Sequence, residues 1–223
     1  MTATSTLAAA LIGALLMGCL GRAGGMVPAD KAGSGRGAAG SARWLALGDS
    51  YTIGEGVSAP ERWPMQVAAH LRERGVALAD PLIVARTGWA TEELLAGIEQ
   101  AGPTGTFDLV SLLIGVNNQF RGRDVEDYRG QFVTLLNRAI AFAGGDARRV
   151  IVLSIPDWGA TPYAEGRDRG RISAEIDRFN EVNREEADRA GARYVSVTHE
   201  SRRVDPARGR IAFATLYAGE EKF

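Results

Sequence analysis

Trp44-Leu45-Ala46-Leu47-Gly48-Asp49-Ser50-Tyr51 is the stretch on which the reading of this chain turns. Its first four residues are apolar without alternation, as in a short strand buried on both faces of a parallel sheet. Gly48 then makes a tight turn that leaves Ser50 at the carboxyl end of that strand. In open α/β sheets, ligands bind outside those ends.

Working outward, the same alternation recurs. A helix is predicted over Trp63 to Arg74 and a strand over Leu82 to Ala85. Thr91 is expected to cap a helix running to Gln100, with Glu92 and Glu93 favourably placed in its first turn. Asp108 to Ile114 is a nearly continuous apolar strand. Val125 to Ala143 sets Tyr128, Phe132, Leu135, Leu136 and Ala139 on one helical face. A fourth strand follows at Val150 to Ile155. Ile172, Ile176, Phe179 and Val182 then mark a helix over Arg171 to Ala190, and Ala192 to Val197 is a fifth strand. The strands read as buried on both faces. The pattern predicts an α/β fold, a three-layer α/β/α sandwich around a five-stranded parallel, flavodoxin-like sheet.

The 223 residues suffice for one domain plus a leader. A hydrophobic content of 45% supports a full core, and a net charge of −1 gives no bulk attraction to nucleic acid. Cys19 is the only cysteine, and His70 and His199 are the only histidines. That excludes an intrachain disulfide and a Cys/His metal cluster.

Upstream, the apolar run Leu7 to Leu20 is short for a membrane span and fits the core of a signal peptide over residues 1–18. It ends in Leu16-Met17-Gly18-Cys19, which is similar to the lipobox of bacterial lipoproteins, so Cys19 is the expected lipidation site. Residues 19–41, rich in Gly, Ala and Ser, suit a flexible tether. The folded domain is expected over 42–223, in the bacterial cell envelope, with the membrane reached only through the lipid on Cys19. Met1 to Thr6 lacks the usual Lys or Arg, and a start at Met26 instead leaves the protein cytoplasmic.

Three short blocks follow the first three strands: Gly48-Asp49-Ser50-Tyr51, Arg86-Thr87-Gly88-Trp89 and Gly115-Val116-Asn117-Asn118. A serine at a strand-to-helix turn can expose its hydroxyl, although this block lacks the G-x-S-x-G form. Gly88 lets a backbone N–H approach a reacting oxygen, and the Asn117 amide can donate a second bond. Donors aimed at a developing oxyanion are commonly worth ~3–4 kcal/mol each. Taken singly, these are ordinary turn and loop residues. Taken together at three strand ends, they point to acyl transfer.

On these blocks the chain resembles the SGNH, or GDSL, hydrolase family, named for Ser, Gly, Asn and His. Ser50 in GDSYTIGEG matches the nucleophile block, which usually continues with Leu where Tyr51 stands. Gly88 in ARTGWAT matches the glycine block. Asn117 in IGVNN matches the asparagine block, which more often has Asp at the place of Asn118. The match runs over residues 43–200 in order. It implies an oxyanion hole formed by the N–H groups of Ser50 and Gly88 and the Asn117 amide. The implied partner is a small-molecule ester (short acyl, lysophospholipid, thioester or acetylated sugar) cleaved through acyl-Ser50. No metal or organic cofactor enters that chemistry.

The family's fourth block, Asp-x-x-His in a loop after the fifth strand, has no counterpart: Val67 stands three before His70, and Ser196 three before His199. Ala214 to Gly219 is similar to the start of the family's closing helix, so a deletion or frame error before it is expected. His199, just after the fifth strand, is the candidate base, set against a plain surface histidine. His70 falls inside a helix, and Asp157 reads as a turn residue. Trp89, Trp158 and Tyr163 are candidates to wall a substrate pocket, set against core packing. A comparable triad without its histidine loses about 10⁶ in turnover, so this chain is expected to be nearly inactive. Two other classes stay open: a binding protein that holds an acyl or glycan ligand, and a nucleotide-binding flavodoxin-like module. The last lacks G-x-G-x-x-G or a Walker loop after the first strand.

Overall fold

A computed structural model of the chain describes residues 40–203. Cys19, the signal segment, nearly all of the tether and the expected closing helix lie outside the described residues. In chain order the elements are β1 (Trp44–Gly48), α1 (Ser50–Ile53), α2 (Trp63–Glu73), β2 (Leu82–Ala85), α3 (Thr91–Ala101) and β3 (Leu109–Leu113). There follow α4 (Val116–Phe120), α5 (Val125–Phe142), β4 (Val150–Leu153), α6 (Arg169–Ala190), β5 (Arg193–Val195) and α7 (Thr198–Arg202). All strand pairings are parallel, in the order β2-β1-β3-β4-β5. The three-layer α/β/α fold is the expected one.

The pleat of β1 explains why the sheet has two cores. Leu45 and Leu47 face a larger cluster with Leu94, Ile98, Phe132 and Ile176 from α3, α5 and α6. Trp44 and Ala46 face the opposite side, where Trp63, Val67 and Leu71 of α2 cover them. Each large side chain so buried contributes roughly 1.5–3 kcal/mol. Burial on both faces holds for β1, β3 and β4. It fails for β2 and β5, because an edge strand has a neighbour on one side only; Leu82 and Arg193 are exposed.

One helix start differs from expectation. Ala90, not Thr91, is the N-cap of α3, and the Glu93 carboxylate accepts the Ala90 N–H at 2.7 Å. Thr91 is buried because its hydroxyl is used elsewhere, donating to Gln131 and accepting from Asn118 Nδ2. Among the described residues, no helix is long and apolar enough to cross a membrane.

Candidate active site

Strand register brings the three blocks together. Gly48, the last residue of β1, is aligned with Ala85 on β2 and with Leu113 on β3. Ser50, Gly88 and Asn117 each follow within a few residues, so they emerge side by side on one rim.

Ser50 is the first residue of α1 and half-buried, and its hydroxyl has no hydrogen-bond partner among the described residues. Asp49 caps that helix: its Oδ1 accepts the Tyr51 N–H at 3.0 Å. The Asp49 side chain is fully buried, and its Oδ2 has no partner among the described residues. Burial therefore pushes its pKa up to about 7, against the backbone bonds that favour the anion. Burial, and then the charges of Asp49 and Asp157, hold the Tyr51 phenol above its ordinary range, so it stays protonated.

Asn117 is presented by a turn that only glycine can make. Gly115 has φ +125°, and a Cβ there would lie 2.6 Å from Tyr128 Oη and 2.8 Å from Ile155 Cδ1. From this turn Asn117 Nδ2 donates to the Trp89 carbonyl at 2.8 Å, and Arg121 Nη2 donates to the Gly88 carbonyl at 2.6 Å. The Gly88 loop is thus clamped twice from α4. Asn118 extends the clamp, with Oδ1 accepting the Thr91 N–H at 3.2 Å.

Ser50 and Asn117 line one cavity of about 520 Å³, a volume that suits a small ligand. Glu55, Val57 and Thr87 line it as well, as do Phe120, Trp158 and Tyr163. Gly88 sits between Thr87, which lines the cavity, and Trp89, whose carbonyl holds Asn117. The Trp158 indole is fixed by donating to Gln119 Oε1 at 2.8 Å, and Gln119 in turn donates to Glu175.

Not every expected residue is gathered here. Trp89 is not in the cavity wall: its indole packs on Gly97 of α3, where a Cβ would come within 2.1 Å of the ring. His199 is exposed on α7, does not line the cavity, and makes no hydrogen bond among the described residues. His70 lies in α2, beside Glu73 at 3.2 Å. Asp157 is more than a turn residue. Fully buried, it accepts from the Gly159 N–H at 2.8 Å, from Ser173 Oγ at 2.6 Å and from Arg202 Nε at 2.8 Å. The sequence reading missed Glu55, Val57 and Phe120. The last two are apolar residues in short segments beside the Ser50 and Asn117 blocks, and that proximity was the available signal.

A five-stranded parallel sheet that carries a free serine, a clamped glycine loop and an asparagine round one cavity has the architecture of an SGNH hydrolase. The chain belongs to the GDSL-like lipase/acylhydrolase family, whose model matches residues 46–214. Among similar solved structures is AlinE4, an SGNH-hydrolase family esterase, at 18% identity and a TM-score of 0.60, covering 77% of this chain and 84% of that one. A lipase/acylhydrolase from Enterococcus faecalis is 19% identical, with a TM-score of 0.54 and 71% and 77% coverage. Phospholipase A1 from Streptomyces albidoflavus NA297 is 23% identical, with a TM-score of 0.52 and 69% and 78% coverage. Such identities speak for the fold alone. No curated protein is similar enough in sequence to count as a relative.

Proposed function

We propose that this chain is built to hydrolyse carboxylic esters through an acyl-Ser50 intermediate. The observation that carries the reading is the convergence of Ser50, the clamped Gly88 loop and Asn117 on a single cavity. Ser50 Oγ attacks the ester carbonyl, forming the Oγ–C bond, while its proton passes to a base. The oxyanion is met by the backbone N–H groups of Ser50 and Gly88 and by Asn117 Nδ2. The intermediate collapses with loss of the alcohol, and water then releases the acid. The esters meant are of short-chain acyl, lysophospholipid or acetylated-sugar type.

The base is the weak point. Neither histidine of the chain lines the cavity, so turnover is expected to be low: about 10⁶ below an intact triad, with ~10³–10⁴ over water left to the oxyanion donors and binding. The same observation favours a second reading, an SGNH-fold protein that binds an acyl or glycan ligand without turnover. A fluorophosphonate probe separates the two. Labelling of the wild type that disappears in Ser50→Ala supports the hydrolase; an unlabelled wild type that still binds ester supports the binder. Robust p-nitrophenyl acetate hydrolysis lost in His199→Ala would make His199 the base.

The reading extends to the cell envelope. The apolar run ending at Cys19 supports export and lipid attachment, and palmitate incorporation abolished by Cys19→Ser tests it.

A further inference from the structure

Beyond Ser50, the cavity has a lip of unusual chemistry. Phe120, Trp158 and Tyr163 form an aromatic cluster with centroid separations of 5.4, 5.8 and 6.3 Å. Two of the rings are open to solvent, Phe120 at 44% and Tyr163 at 66%. Neighbouring exposed rings at a cavity form the kind of contiguous apolar patch that marks a ligand-binding surface. Arg167 lies over all three, its Cζ 5.2 Å from Phe120, 5.3 Å from Trp158 and 5.6 Å from Tyr163.

The guanidinium is exposed, and among the described residues it has no carboxylate partner. The neighbouring Asp168 is engaged as the cap of α6, where it accepts the Arg171 N–H at 2.9 Å. A cation held by ring faces rather than by a carboxylate keeps its N–H donors for another acceptor. The carboxylate among the cavity's lining residues, Glu55, already receives the Thr87 hydroxyl. An anionic ligand group at this cavity is therefore repelled by Glu55 and attracted by the guanidinium that lies over three of the lining aromatics.

We propose that Arg167, seated on Phe120, Trp158 and Tyr163, is a subsite for an anionic group, so that the chain selects esters that also carry a carboxylate or a phosphate. The proposal rests on the reading of this cavity as the ester site. Its test reads binding rather than turnover, so the two fail separately. The full chain carrying Ser50→Ala is titrated calorimetrically with 4-acetoxybenzoate, 4-acetoxyphenyl phosphate and the neutral 4-acetoxybenzamide. One or both anions should bind about tenfold or more tighter than the amide, the scale of a charge-assisted hydrogen bond. Which anion wins tells carboxylate from phosphate. Adding Arg167→Gln, an exposed change that leaves the core untouched, should abolish the preference. Equal affinity for all three probes would overturn the proposal, as would a preference that survives Arg167→Gln. Absence of fluorophosphonate labelling at Ser50 would remove the catalytic reading and leave the anion preference standing.

Discussion

Asp49 sits one residue before the candidate nucleophile, fully buried, with one carboxylate oxygen unmatched. Its pKa rises from 3.8 to about 7 on folding, chiefly through burial. Between those values the folded protein holds a proton that the unfolded chain has released. The protonated form's advantage is therefore complete below pH 3.8, declines as pH rises from there, and is gone above about 7. Glu93 and Glu175 act in the opposite sense. Their pKa values are held low, chiefly by the Ala90 N–H and by Arg171 respectively, and their contribution fades as pH falls. Urea midpoints for wild type and Asp49→Asn between pH 4.5 and 8 isolate the Asp49 effect, and the variant should lose the decline. At Asn117, substitution by Ala should slow fluorophosphonate labelling by about 10²-fold, the scale of one oxyanion donor. The three block residues were legible because each follows a strand by a few positions. Phe120 and Arg167 were not, because their meeting depends on how the end of α4 packs against the distant segment before α6.

At the scale of elements, α7 is secured to the loop after β4 by Arg202. Its Nε meets the buried Asp157 at 2.8 Å and its Nη2 meets Asp177 at 2.7 Å. Removing one partner of a buried pair costs about 3–5 kcal/mol. Arg202 is itself 34% exposed, so Arg202→Ala is expected to cost about 2 kcal/mol in urea unfolding once solvent screening is allowed for. Asp157→Asn should cost at least as much, since an amide NH2 in place of Oδ2 would face the Arg202 N–H and the pair would lose its buried anion. The five strands and the four longer helices were readable from apolar patterning, whereas the short α1, α4 and α7 were not, because a helix of four or five residues shows no period. The cap of α3 was not, because Thr91 is drawn away by Asn118 and Gln131, residues far along the chain. Trp89 misled for a similar reason: an aromatic after a strand fits a cavity wall as well as the space above Gly97.

At the scale of the molecule, one sheet serves two cores, and β1, β3 and β4 give residues to both. Neither face can melt while the other persists. Tryptophan fluorescence and far-UV circular dichroism should therefore give coincident urea transitions, and separated midpoints would show that the faces are independent. The alternation of elements made this layout legible, since five apolar runs separated by amphipathic helices leave few other arrangements. Ser50 is anchored to β1, between β2 and β3, at the least yielding place in the fold. The aromatic residues that share its cavity ride instead on short segments after β3 and β4. The shape of the cavity can thus be redrawn by changes in those segments while the Ser50 hydroxyl stays where the sheet holds it.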